Sequence, residues 1–385
     1  MTVVSRPARV FFPCTGLGRE RRGFEAFTRE CAAALRANPN LEITVFGGGG
    51  DLEPGERKLW SLSRAGAAAR GIGALAQRDP YFVEQLSFVP GFVRALTLHK
   101  PDLVYFADVN LGNACWHWRR LTKQRFRLLY YNGGPTTRPF TRCDLVQQVS
   151  PEHYDSATAR GESADRQVLL PHGVRIEREF RPITPAERAR RRAQMGIPAD
   201  AQVVLSVGAL NASHKRMDYV IDEVASAASK PYLVLVGAET PETPALRALA
   251  ADRLPGRCTM LSLSHAETRA IYPLADAFVL GSLVEGFGLA QVEALAAGLP
   301  CIAHETATSA YVLGTHGLTG DLRLPGMLAP RIDRTLRDAG SRDDRRAAAR
   351  HADAYRRFSW DVLAPHYSAL LIAVAEGRRP EAPSI

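Results

Sequence analysis

Two glutamates stand eight residues apart in the stretch LVEGFGLAQVEALAAGLPCI, residues 283–302. Glu285 precedes Gly286, Phe287 and Gly288, and Glu293 lies within an alanine-rich apolar run. Glycines at a strand-to-helix turn let the backbone approach a ligand closely, and the amides of a first helical turn favour an anion. A helix opening near Leu289 therefore makes a diphosphate seat. Glu293, about two helical turns beyond Glu285, suits hydroxyl groups better than the same phosphate. Two carboxylates flanking a diphosphate fit a nucleotide sugar, one serving the ribose diol and the other the transferred sugar. The competing reading makes Glu293 a solvated helix residue and Glu285 a carboxylate favoured by the helix dipole.

Such a site needs strands to carry it. Short apolar runs alternate with helical patterns along the chain, as in parallel α/β units. In the first half the strand candidates are ARVFF, LEITVFG, PDLVYFA, FRLLYYN and CDLVQQVS; in the second they are QVVLSVG, PYLVLVG, CTMLSL, AFVLGS and PCIAH. Each half reads as a doubly wound, Rossmann-like sheet. A chain of 385 residues exceeds one ordinary core, which agrees with two domains. Pro171, Gly173, Pro182 and Pro185 punctuate the join. Ligands of doubly wound sheets bind beyond the carboxyl ends of the strands, so SVGALN and LVEGFG are expected at a cleft between the domains.

The formal charge of +9 permits an anionic partner, although the arginines are scattered and much of the excess reads as solvated surface. Six cysteines lie far apart with no C-x-x-C pair, which signals neither a zinc site nor a disulfide scaffold. His214 and His304 have no second ligand at metal spacing. The N-terminal apolar run reads as a first strand rather than a secretion signal, and no stretch approaches the roughly 20 apolar residues that span a bilayer. A cytoplasmic protein is expected, with at most weak peripheral contact on the inner face of the membrane.

The stretch SLVEGFGLAQVEALAAGLP closely resembles the E-x7-E segment of retaining GT-B glycosyltransferases, in particular family 4, or glycosyltransferase group 1. VLSVGALNASHKRMDYVIDEVA is similar to the strand, loop and helix that carry that family's phosphate-binding lysine. AETRAIYPLADAFVLGS resembles the lead into the motif, and FSWDVLAPHYSALL the C-terminal helix that crosses back onto the first domain. The resemblance implies a GT-B architecture of two Rossmann-like domains facing a central cleft. Residues 1–175 would form the acceptor-side domain, 176–357 the nucleotide-sugar domain, and 358–385 the returning helix.

The resemblance gives Glu285 a hydroxyl of the donor sugar and Glu293 the ribose hydroxyls. Gly208 and the amides around Gly286, Phe287, Gly288 and Leu289 would hold diphosphate and sugar, and Lys215 would stabilise the leaving group. Where the family often has an arginine after the glycine matching Gly208, this chain has Ala209; Arg216 is the candidate replacement. On the acceptor side the candidates are Gly16 and Gly18, with Asp108 and Asn132 as cleft residues. His172 replaces the family's asparagine at the join and reads as a hinge residue. No D-x-D pattern occurs, so no metal and no cofactor are expected. The resemblance implies retention by front-face attack, with no covalent nucleophile.

The activity expected is transfer of a sugar from a nucleoside-diphosphate sugar to a hydroxyl acceptor, in bacterial glycan, glycolipid or natural-product synthesis. Three alternatives stay open. An epimerase would convert the nucleotide sugar alone, and a pyridoxal-type phosphorylase would need a Schiff-base lysine. A non-enzymatic protein could bind an anionic surface through ACWHWRRLTKQRFRLL. No nucleic-acid motif is present. That segment reads more simply as a helix and a strand, with Arg119, Arg120, Lys123 and Arg125 on the solvated side.

Overall fold

In a computed structural model the described residues are 6–20, 23–134, 140–338 and 344–380. Residues 381–385 of the expected returning helix lie outside them. The chain divides into two compact units, Met1–Gly173 with Trp360–Ile385, and Val174–Ser359.

The first unit holds seven strands: β1 (Ala8–Cys14), β2 (Leu41–Gly47), β3 (Glu56–Lys58), β4 (Leu103–Phe106), β5 (Arg127–Asn132), β6 (Leu145–Gln148) and β7 (Gln167–Leu169). They form one parallel sheet in the order β3-β2-β1-β4-β5-β6-β7. Both faces of such a sheet are covered, so its strands read as unbroken apolar runs. Val10, Phe11, Phe12, Leu103, Val104, Leu128 and Leu129 are all buried.

The second unit holds β8 (Val203–Val207), β9 (Tyr232–Val236), β10 (Cys258–Leu261), β11 (Ala277–Leu280), β12 (Cys301–His304) and β13 (Gly317–Gly320). Its parallel order is β10-β9-β8-β11-β12-β13. Val204, Leu233, Leu235, Val279 and Ile302 meet Val220, Ile221 and Val224 of the helix Met217–Ser226 in one core. In each unit the strand order turns back at one place, between β1 and β4 and between β8 and β11. Loops diverge there and leave a crevice at the carboxyl ends.

Every strand expected from the sequence is present, and β3, β7 and β13 are additions. β3 and β7 have three residues each, and β13 contains two glycines. Such segments carry no periodic signal, and a neighbouring strand supplies their pairing. The helix Trp360–Ala375 lies in the first unit, where Trp360 Nε1 donates to Glu30 Oε2 at 3.2 Å and Tyr367 Oη to the Pro171 carbonyl at 2.8 Å. Among the described residues no helix is long and apolar enough to cross a membrane.

Candidate donor-binding site

Gly208 follows β8, and the loop Gly281–Gly288 follows β11, so both stand at the turning point of the second sheet. The loop after Gly208 is fastened locally. Asn211 Oδ1 accepts from the Lys215 amide at 2.8 Å, and Glu242 accepts from the Ala212 and Ser213 amides at 2.9 and 3.0 Å. Lys215 then reaches across to β11's loop, where its Nζ lies 2.6 Å from Glu285 Oε1. The Ser282 hydroxyl donates to the same oxygen. A methyl group on Gly208 would come within 2.9 Å of the Lys215 side chain. Gly208 thus serves by leaving room for the lysine.

The helix Leu289–Ala296 opens at Gly288, whose φ of +88° is a left-handed conformation that glycine adopts without penalty. Phe287 is buried and packs edge-on against Phe358, with ring centroids 5.6 Å apart. What Phe287 can offer a ligand is therefore its main chain. Gly286, partly exposed, lies between Glu285 and this anchored ring.

Glu293 is not a solvated helix residue. Its side chain is 10% exposed, its Oε1 lies 3.0 Å from His265 Nε2, and its Oε2 accepts from Tyr272 Oη at 2.8 Å. Arg269 Nε is 3.5 Å away. Burial pushes the carboxyl pKa up, but the His265 hydrogen bond and charge, with Arg269 and Tyr272, outweigh it and leave the pKa lowered. Glu293 is held as an oriented carboxylate. The sequence offered one sign of these partners, the capping box in Ser264-His265-Ala266-Glu267, which fixes the start of the helix carrying His265 and Arg269.

Arg216, the candidate replacement for an arginine at Ala209, has a left-handed backbone with φ of +50°. Its Nη1 donates to the carbonyls of Gly281 at 3.2 Å and Leu322 at 2.7 Å, and its guanidinium lies 4.1 Å from the Tyr219 ring centroid. Arg216 ties together the loops after β11 and β13.

In the first unit, Gly16 sits in the turn after β1. Its carbonyl accepts from the Arg19 and Glu20 amides at 3.0 and 2.8 Å, and Gly18 has φ of +84°. Asp108 and Asn132, expected as cleft residues on the acceptor side, are each only 2% exposed. Asp108 accepts from the Thr15 amide at 3.1 Å and from the Tyr81 hydroxyl, and burial raises its pKa. It joins the ends of β1 and β4. Asn132 Nδ2 donates to Gln148 Oε1 at 2.7 Å, and Gln148 Nε2 to Gln167 Oε1 at 2.7 Å, an amide chain linking β5 to β7. His172 lies edge-on to Phe27 at 4.6 Å and hydrogen-bonds the Tyr131 hydroxyl; burial lowers its pKa to about 3. Arg119, expected on a solvated side, is mostly buried against Asp144 and also donates to the Phe126 carbonyl at 3.0 Å.

A cavity of about 660 Å³ in the second unit opens at the amino ends of β11, β12 and β13. Asp276, Pro300 and His316 line it together with Glu293, Arg269 and Tyr272, whereas Lys215 and Glu285 do not. Ligands of open parallel sheets bind at the opposite ends.

The two units have the GT-B architecture of solved glycosyltransferase structures. Sucrose-phosphate synthase from Thermosynechococcus elongatus aligns with TM-score 0.77 at 20% identity, over 96% of this chain and 100% of that one. Anabaena Alr3699/HepE in complex with UDP-glucose aligns with TM-score 0.73 at 18% identity, over 95% of this chain and 99% of that one. Residues 201–338, a segment that contains Gly208, Lys215, Glu285 and Glu293, match the family described as Glycosyl transferases group 1. The D-inositol 3-phosphate glycosyltransferases of Mycobacterium bovis (strain BCG / Pasteur 1173P2) and Mycobacterium tuberculosis (strain ATCC 25618 / H37Rv) are each 28% identical over 313 residues, 71% of this chain. The matched part spans 63% of those relatives' own length.

Proposed function

We propose that the protein is a retaining glycosyltransferase that moves a sugar from a nucleoside-diphosphate sugar to a hydroxyl acceptor without a metal ion. The observation that carries this reading is the meeting of Lys215 and Glu285 at 2.6 Å, at the turning point of the second sheet. The family match over residues 201–338 supports it.

Lys215 and the amides opening the helix at Leu289 bind the diphosphate, and Glu293 takes the ribose diol, exchanging part of its contact with the exposed His265. Glu285 accepts from a hydroxyl of the donor sugar. The bond between the anomeric carbon and the phosphate oxygen breaks as Lys215 stabilises the charge on the departing diphosphate. The acceptor oxygen bonds to the same face of that carbon, and its proton passes to the departing phosphate oxygen. Glu285, released by Lys215 to the donor and still held by the Ser282 hydroxyl, acts by orientation and charge and forms no covalent bond. Front-face attack differs from the paired-carboxylate route to retention in glycosidases.

UDP and UDP-glucose, bound in the HepE structures, are the first ligands to try. A thermal-shift series of nucleoside diphosphates and their sugars identifies the donor, because a ligand that binds only the folded state raises its stability. Incubating that nucleotide sugar with acceptor extracts and reading the new linkage by NMR tests the reaction. An inverted anomeric centre, or epimerisation with no acceptor present, would replace this reading.

A further inference from the structure

The carboxyl ends of β1, β2 and β3 in the first unit carry two glycine loops, TGLG at 15–18 and GGGG at 47–50, locked into one another. The Asp51 amide donates to the Gly18 carbonyl at 2.8 Å. A methyl on Gly18 would fall 2.2 Å from the Gly49 carbonyl oxygen, and one on Gly50 would fall 2.0 Å from that of Gly18. No side chain fits between these backbones.

Arg19 lies across this double loop. Its Nη1 donates to Ser61 Oγ and its Nη2 to the Ser61 carbonyl, both at 3.0 Å, which draws the segment after β3 against it. A methyl on Gly49 would lie 3.0 Å from Lys58 Cε and 3.2 Å from Arg19 Nη2, so the two cations stand over the same glycine. The acids nearby are engaged elsewhere: Glu56 and Glu53 lie 2.8 and 3.6 Å from Arg29, and Glu20 lies 3.7 Å from Arg64. Among the described residues no carboxylate lies within 4.0 Å of the Arg19 or Lys58 nitrogens. Trp60, between Lys58 and Ser61, is 69% exposed. Two like charges held together without a counter-charge repel one another, and a rigid arginine fork beside a lysine matches a phosphate.

We propose that Arg19 and Lys58 form a subsite for a phosphate ester, and that the hydroxyl compound receiving the sugar carries that phosphate, with Trp60 offering a flat apolar face to its carbon skeleton. This rests on the glycosyltransferase reading, because it names the acceptor class for the same reaction. The net charge of +9 suits an anionic substrate.

Calorimetry on the full chain without any nucleotide sugar provides the test, using glucose 6-phosphate, glycerol 3-phosphate and inorganic phosphate against glucose and glycerol. The phosphate esters are expected to bind and the neutral compounds not. Arg19→Met and Lys58→Met should each weaken binding by about tenfold to a hundredfold, as for loss of one charge-assisted hydrogen bond, and Lys58→Arg should restore most of it. Flotation with phosphatidylglycerol vesicles forms the second arm. Vesicle binding that needs Arg19 and Lys58, with no soluble ester bound, would keep the subsite and make its phosphate a lipid headgroup. Phosphate binding that neither substitution weakens, or no binding of either kind, would overturn the proposal. Nucleoside diphosphate binding, measured on the same samples, reports on the second unit. Its retention shows that the variants fold and that the donor reading stands or falls separately.

Discussion

Lys215 Nζ lies 2.6 Å from Glu285 Oε1, with the two side chains only 17% and 13% exposed. Removing one partner from a largely buried ion pair leaves the other uncompensated. Under the proposed function, an arriving diphosphate would compete with Glu285 for the lysine and leave the carboxylate to a sugar hydroxyl, which would make donor binding and positioning of the glutamate one event.

From this pair, Lys215→Ala should lower sugar transfer by about a hundredfold to a thousandfold, the typical effect of losing one transition-state charge stabiliser. Glu285→Gln should lose transfer too, yet bind the nucleoside diphosphate at least as tightly as the parent, since the lysine is released. Calorimetry with the diphosphate beside a steady-state rate separates the two. Weakened diphosphate binding in Glu285→Gln would contradict the exchange.

Gly208→Ala places a methyl 2.9 Å from Lys215, against a side chain that can move rather than against backbone. Folding should survive while the lysine is pushed aside, lowering kcat with little change in melting temperature. A variant with parental kcat would show that the lysine needs no such room.

Glu293→Ala should weaken nucleoside diphosphate binding by roughly 1.5–3 kcal/mol, the cost of a charge-assisted hydrogen bond. The comparison ligand is the corresponding 2′,3′-dideoxy nucleotide, for which parent and variant should bind alike. Equal losses for both ligands would show that Glu293 only supports the His265 helix.

Activity should persist in excess EDTA, because Lys215 and the helix opening at Leu289 supply the positive field on the diphosphate. Loss on chelation with recovery on adding magnesium or manganese would assign that work to a metal.

Burial lowers the His172 pKa from 6.5 to about 3. Between those values the unfolded chain binds a proton that the folded one refuses, so stability falls as pH drops below 6.5 by up to about 1.4 kcal/mol per unit. His153, also lowered by burial, contributes with the same sign. Urea unfolding near pH 5 and near pH 7 should show a smaller difference for His172→Phe than for the parent. An unchanged difference would mean that His172 titrates normally.

The local sequence was sufficient for what local physics controls. Largely apolar runs such as VVLSV and YLVLV are long enough to be strands buried on both faces, and GFG before an alanine-rich run marks a turn into a helix. Residue type and spacing singled out Glu285 and Glu293, and the resemblance of the surrounding strand, loop and helix singled out Lys215. Tertiary structure decided their partners. Lys215 and Glu285 are 70 positions apart, and only the reversal of strand order between β8 and β11 brings their loops together. His265 and Tyr272 reach Glu293 from 28 and 21 positions away. The sequence offered Arg216 as a replacement for the arginine absent at Ala209 but not its two carbonyl partners, and Asp108 and Asn132 were buried by strands pairing beside them. Pattern along the chain reports burial of an element, whereas the direction and partners of one polar side chain depend on elements far away in sequence.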